Sequence, residues 1–137
     1  MRILFGGGFD LIHRGHVEQI ERIKQEYPDS TLIVNISSDE QVRNKKGKER
    51  PIIPENDRLY MTNAIKWVDE VVCLPTKELD LESLIEKTRP DILITNSDNL
   101  DYDETCSKLK VEIKKLPRVI APSKLDTTKI IQKIKNS

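Results

Sequence analysis

Apolar and polar positions along the chain change period repeatedly, and each change marks an element. Ile3-Leu4-Phe5 is a short apolar run that reads as a first strand, and behind it Val17, Ile20 and Ile23 recur at helical spacing. Tyr27-Pro28-Asp29-Ser30 is turn chemistry. Thr31-Leu32-Ile33-Val34-Asn35-Ile36 is almost continuously apolar, as in a strand buried on both faces. Strand, helix and strand in succession make a βαβ unit, which is right-handed almost without exception. Ser37-Ser38-Asp39-Glu40 carries capping residues for a short helix. Pro54 precedes a helix with Tyr60, Ala64 and Trp67 on one face, and Val68–Leu74 is the third strand. Leu81, Leu84 and Ile85 mark a helix, and Pro90–Thr95 runs into the fourth strand. Cys106, Leu109, Ile113 and Leu116 mark another helix, Arg118–Ala121 a short fifth strand, and Ile130, Ile131 and Ile134 the buried face of a last helix. This alternation predicts a doubly wound parallel sheet of five strands in the order 3-2-1-4-5, with helices on both faces. No repeat or linker divides it, so residues 1–137 are read as one domain.

Composition narrows the partners. The 23 basic and 23 acidic residues cancel, so no global field recruits nucleic acid. No apolar run approaches the roughly 20 residues a membrane span requires. Cys73 and Cys106 are too few for a disulfide framework and lack metal-ligand spacing, so both read as reduced packing residues. Asn35-Ile36-Ser37 matches a glycosylation pattern but falls in an inner strand. The glycine turn begins at Gly6, leaving no signal peptide before it, and a cytoplasmic location is expected.

The chemistry gathers in Gly6-Gly7-Gly8-Phe9-Asp10-Leu11-Ile12-His13-Arg14-Gly15-His16. Strand, glycine turn and helix aim backbone N–H groups and a helix dipole at an anion. His13 and His16, three residues apart, stand at the mouth of that helix on one side. A second cationic element follows the second strand: a basic loop with Arg43, Lys45, Lys46, Lys48 and Arg50 around Gly47. It leaves from the carboxyl edge of the sheet, where open α/β sheets bind ligands. Arg58 falls in the first turn of its helix, where the dipole disfavours a cation unless an anion is near. Asp126 or Thr127 is the N-cap of the last helix.

The run G-x-F-D-x-x-H-x-G-H, here Gly7 to His16, resembles the signature of the cytidylyltransferase-like nucleotidyltransferases, whose fold is Rossmann-like. The resemblance covers essentially the whole chain. It implies a nucleoside triphosphate and a phosphorylated small-molecule acceptor as substrates, Mg²⁺ as cofactor, and release of pyrophosphate. By this resemblance His13, His16 and Lys45 carry the catalysis. Gly7, Gly8, Phe9, Gly15, Lys46, Arg58, Asp98, Thr127 and Thr128 join the two histidines in binding the nucleotide, Arg58, Thr127 and Thr128 holding its outer phosphates. Lys45 draws the acceptor in, and Asp10 supports the turn or stands near a metal whose ligands the sequence leaves unknown. Asp126 and Lys124 replace the serine and glycine of the family's Ser-Thr-Thr element, so a metal or Lys124 has to compensate the carboxylate.

Within the family, Lys-Gly followed by Arg50-Pro51, Pro54 and Arg58 is most similar to the adenylyltransferases that activate heptose 1-phosphate. The glycerol-3-phosphate cytidylyltransferases carry an arginine where this chain has Ala121, which favours ATP over CTP and a sugar or polyol phosphate as acceptor. Asp98 is what survives of the motif that ends the fourth strand in the heptose enzymes. A cytidylyltransferase, an FAD synthase-type adenylyltransferase and a non-catalytic nucleotide-binding module are the alternatives. A homodimer is expected by analogy.

Overall fold

The computed structural model describes residues 1–137. In chain order the elements are β1 (Arg2–Gly7), α1 (Arg14–Glu26), β2 (Thr31–Ile36), α2 (Asp39–Lys46), α3 (Glu55–Asn63), β3 (Glu70–Val72), α4 (Leu81–Thr88), β4 (Ile92–Thr95), α5 (Leu100–Leu109), β5 (Glu112–Lys115) and α6 (Thr127–Lys135). They build one sheet in the order β3-β2-β1-β4-β5, and every neighbouring pair is parallel. The expected order and fold class are both observed. The chain winds outward from β1 through β2 to β3, then crosses back to β4 on β1's other side, so the switch point lies beside β1. No helix is long and apolar enough to cross a membrane.

Successive strand residues point to opposite faces, and this alternation sorts the strands into two cores. Ile3, Phe5, Leu32, Val34, Ile36, Ile92 and Ile94 pack with Ile20 and Ile23 of α1 on one face. Leu4, Ile33 and Leu93 pack with Leu81, Leu84 and Ile85 of α4 and Cys106 of α5 on the other. Burying each such side chain contributes about 1.5–3 kcal/mol, so the three central strands are a rigid frame for whatever their ends carry. Their C-terminal ends turn polar: Asn35 and Thr95 are buried there among apolar neighbours.

Five sequence expectations are corrected. The fifth strand is Glu112–Lys115, which pairs with Ile92–Thr95, and not Arg118–Ala121. The preceding helix stops at Leu109 because Lys110 adopts a left-handed conformation (φ 59°), so Ile113 reaches the core from a strand. Arg43, Lys45 and Lys46 are not in a loop; they form the last turn of α2, where cations suit the helix dipole, and Gly47 at φ 106° ends it. The Tyr60–Ala64–Trp67 face is not the buried face of α3: Tyr60 is 78 % exposed and α3 ends at Asn63. Arg58 and Thr62 face inward instead. The third strand shortens to Glu70–Val72.

Candidate active site

At the C-terminal ends of β1 and β4 a cavity of ≈ 310 Å³ opens, lined at one end by Gly7, Gly8, Phe9, His13, Gly15 and His16. The turn that carries these residues takes Phe9 (φ 53°) and Leu11 (φ 48°) into the left-handed region, a cost of roughly 1–2 kcal/mol each for side chains with a Cβ. The surroundings hold them there. The Phe9 ring is buried edge-on against Phe5 at 6.2 Å. A Cβ on Gly7 would sit 3.1 Å from that ring, which explains a glycine at this position. Asp10, 4 % exposed, accepts from the backbone N–H groups of Ile52 (2.8 Å) and Ile53 (2.9 Å), and its own carbonyl accepts from the Thr127 hydroxyl (2.7 Å). Asp10 is therefore the buried tie between the glycine turn, the segment before α3, and α6.

The two histidines form a reciprocal cap on α1. His13 Nδ1 accepts from Gly15 N (3.1 Å), and His16 Nδ1 accepts from His13 N (3.2 Å). A backbone N–H can only donate, so both Nδ1 atoms are unprotonated acceptors and each neutral ring carries its proton on Nε2. The rings stack with centroids 3.8 Å apart. Burial, then the neighbouring His13 and Arg118, push the His16 pKa down to about 3; burial and Arg118 also lower that of His13, with Asp126 opposing. Near neutral pH the pair are uncharged donors. Gly15 makes the arrangement possible, since a Cβ there would stand 3.0 Å from the His13 ring and 3.2 Å from the Val119 carbonyl.

Cations come from three segments. Lys45 and Lys46 reach the cavity from the end of α2, Arg50 from the following segment, and Arg118 from the loop before α6. Arg50 lies 3.4 Å from the Asp10 carboxylate, yet its Nε has no hydrogen-bond partner, as expected of a group close to an acceptor that is already occupied. Four cations thus face two carboxylates, Asp10 and Asp126, across the cavity. Asp126 is the N-cap of α6, accepting from Lys129 N at 2.8 Å, and that N–H holds its carboxyl below the usual range, with Lys129 and Arg118 adding. Its second oxygen lies 3.6 Å from Arg118.

Most of the expected residues meet here: Gly7, Gly8, Phe9, Asp10, His13, Gly15, His16, Lys45, Lys46, Thr127 and Thr128 all line the cavity. Some expectations change. Arg58 does not reach it. Its guanidinium, 1 % exposed, donates to the carbonyls of Ile53 (2.8 Å), Gly8 (2.7 Å) and Ser37 (2.7 Å) and to Asp39 Oδ1 (2.8 Å). The anion that explains a cation in the first turn of α3 is the protein's own Asp39. Asp98 is exposed on the loop after β4 and lines neither this cavity nor its neighbour. The Thr127 hydroxyl donates to Asp10, so what it offers a phosphate is the backbone at the start of α6. Beside Asp126 the structure places Arg118, at 3.6 Å, a cation the sequence did not suggest, while Lys124, at φ 61°, occupies a conformation that favours glycine.

Gln19, Ser37, Gln41, Asn96 and Arg118 also line the cavity and were not expected from sequence. Gln19 had a signal, because it lies three residues beyond His16 and so on the same helical face. Arg118 had none, since its stretch reads as a strand. A second chamber of ≈ 720 Å³ shares Gly6, Gly7, Ser37, Gln41, Lys45 and Asn96 with the first. It extends over Asn35, Asn44, Lys77, Ser97 and Tyr102, with Leu84 and Leu93 beneath. Gln41 and Asn44 of α2 donate to the carbonyls of Thr76 (3.2 Å) and Lys77 (2.9 Å), fixing the segment that walls this chamber.

Comparison with known proteins agrees with this geometry. An FAD synthase from Pyrococcus abyssi is 38 % identical, the match covering 98 % of this chain and 92 % of that protein. The bifunctional protein HldE from Desulfatibacillum aliphaticivorans is also 38 % identical over 98 % of this chain, which spans only 27 % of it. The solved structure of the lipopolysaccharide core biosynthesis protein from Thermoplasma volcanium superposes with a TM-score of 0.71 at 29 % identity, covering 86 % of this chain and 97 % of that one. The sequence model described as cytidylyltransferase-like matches residues 4–136, and the chain belongs to that family of nucleotidyltransferases.

Proposed function

We propose that the protein transfers the adenylyl group of ATP to the phosphate of a small phosphomonoester and releases pyrophosphate. The observation that carries this reading is the pair of neutral imidazoles whose Nδ1 atoms are held by backbone N–H groups, leaving Nε2–H donors for the triphosphate. An acceptor phosphate oxygen attacks the α-phosphorus in line, the bond from the α-phosphorus to the bridging oxygen breaks, and pyrophosphate departs. A phosphate acceptor is already anionic near neutral pH and needs no strong base, so catalysis is positioning and charge stabilisation. His13 and His16 donate to the transferring group. Lys46, Arg50, Arg118 and the start of α6 at Thr127 and Thr128 face the outer phosphates. Lys45, on the wall common to both chambers, draws acceptor and nucleotide together.

Mg²⁺ fits as a companion of the nucleotide, since this cation keeps several waters and binds through substrate phosphates with one or two carboxylates. Asp126 is the carboxylate that would join it, because Asp10 is taken up by Ile52 and Ile53. Bound there, Mg²⁺ supplies charge neutralisation at the leaving phosphates.

The second chamber is where the acceptor is read to lie. A sugar or polyol phosphate is the first candidate, with Asn35, Asn44, Ser97 and Asn96 available to hydroxyls and Lys77 to charge. A flavin mononucleotide acceptor is the second reading, supported by FAD synthases whose length this chain matches. A pyrophosphate-release assay with ATP and CTP against sugar, polyol, alcohol and flavin phosphates tests all of these. ATP turnover with one acceptor class is the expected result. Turnover with CTP alone would move the protein to the cytidylyltransferases, and none with any pair would favour a binding module.

A further inference from the structure

Gln19 lies one turn beyond His16 on α1, is 6 % exposed, and lines the first cavity beside Gly15 and Val119. Its Oε1 accepts from the backbone N–H of Val119 at 3.0 Å. That bond fixes the amide without ambiguity, because only the oxygen can face an N–H. Nε2 is consequently directed away from Val119 and has no partner in the protein. Its two hydrogens have no acceptor in the protein and are free for a group that enters the cavity. The contact also spans a long stretch of sequence, tying the first helix to the loop before the last one.

We propose that Gln19 is a specificity-determining residue that donates from Nε2 to a ring acceptor of the nucleobase. This rests on the nucleotide-binding reading of the same cavity. The chemistry separates base from phosphate. The phosphates have two imidazole donors, four cations and the N-terminus of α6. Gln19 is neutral, deeper along α1, and flanked by Gly15, which has no side chain, and by the buried Val119. A neutral donor in such surroundings suits a neutral heteroaromatic nitrogen, and a planar base passes a glycine more closely than any other residue.

Calorimetry with Mg²⁺-ATP and with Mg²⁺-tripolyphosphate, on wild type and two variants, tests the assignment. Gln19→Met removes the donor with little change in volume. Gln19→Glu retains an oxygen for the Val119 N–H and puts an acceptor where the donor stood, so it also guards against misfolding of the loop. The expected result is a loss of ATP affinity of about threefold to tenfold for Gln19→Met and more for Gln19→Glu, with tripolyphosphate affinity of Gln19→Met within twofold of wild type. Equal losses for ATP and tripolyphosphate in Gln19→Met would make Gln19 a phosphate or folding residue and overturn the proposal. So would unchanged ATP affinity in both variants. If wild type binds tripolyphosphate and prefers no nucleotide to it, base reading fails while the phosphate site stands; if it binds neither, the nucleotide reading fails as well.

Discussion

Two helices end their first turns at the same cavity, and they meet it in opposite ways. The N-cap of α1 is His13, a neutral ring folded back on Gly15 N and coupled to His16. The N-cap of α6 is Asp126, a carboxylate that closes its own helix by accepting from Lys129 N. Capping α1 with an imidazole satisfies backbone donors through Nδ1 and leaves Nε2–H over. Capping α6 with a carboxylate satisfies a donor and leaves a negative charge over. An anion is therefore drawn to the first terminus by groups the fold has already oriented. At the second it meets a repulsion that Arg118, 3.6 Å away, offsets. A helix N-terminus attracts phosphate only in so far as its cap permits.

The contrast can be broken most strongly at His16. Removing an oriented donor that acts in the transition state lowers turnover by about 10²–10³. His16→Ala is expected to show that loss in kcat, with a much smaller change in ATP affinity; equal losses in both, or unaltered kcat, would contradict the role.

Acid sharpens the same terminus. The folded His16 pKa, about 3, lies below its ordinary 6.5, so between those values the unfolded chain binds more protons. Stability then rises with pH across that window and is lost as pH falls through it, by up to about 1.4 kcal/mol per pH unit from this residue. Urea melts at pH 7 and pH 4.5 should show wild type losing more stability than His16→Gln. A His16→Gln variant as acid-sensitive as wild type would place the sensitivity elsewhere.

At α6 the expected effects are smaller. Arg118→Ala leaves Asp126 uncompensated, and at an effective dielectric near 20 its repulsion with a phosphate at roughly 4–8 Å is about 2–4 kcal/mol, of which screening by water and Mg²⁺ leaves a part. ATP affinity should fall by about tenfold, which is ~1.4 kcal/mol, and Asp126→Ser in the same chain should restore most of it. If Asp126→Ser does not rescue Arg118→Ala, the two do not act as a pair. Asp126→Ser alone keeps a capping oxygen, so the melting temperature should barely move and ATP affinity should rise by less than about tenfold. A gain of several orders of magnitude in a protein without turnover would instead mark α6 as a disabled terminus.

The same comparison explains what was legible in the sequence. The α1 terminus is local: strand, glycines, histidines and helix are contiguous, and the spacing alone places both rings. The sheet order is similarly legible, because βαβ handedness and buried runs leave few arrangements. What escaped depends on contacts distant in sequence. Arg58 reads as a phosphate ligand because its four acceptors come from Gly8, Ser37, Asp39 and Ile53, and its burial appears only once these converge. Removing it would leave those carbonyls and Asp39 unpaired, a loss on the scale of about 3–5 kcal/mol for a broken buried pair. Arg118 and the misplaced fifth strand share one cause. Val111 and Ile113 suit a helix or a strand equally, and only the left-handed Lys110 and pairing with β4 decide between them.

The proposed chemistry depends on two neutral imidazoles presenting Nε2–H to a triphosphate. Nitrogen-15 NMR of the histidine side chains at pH 7 tests this directly, without and with a non-hydrolysable ATP analogue and Mg²⁺. In the free protein both rings should show a protonated Nε2 and an unprotonated Nδ1, and the analogue should shift the Nε2 resonances. Rings that are charged at pH 7, carry the proton on Nδ1, or do not respond to the analogue would contradict it.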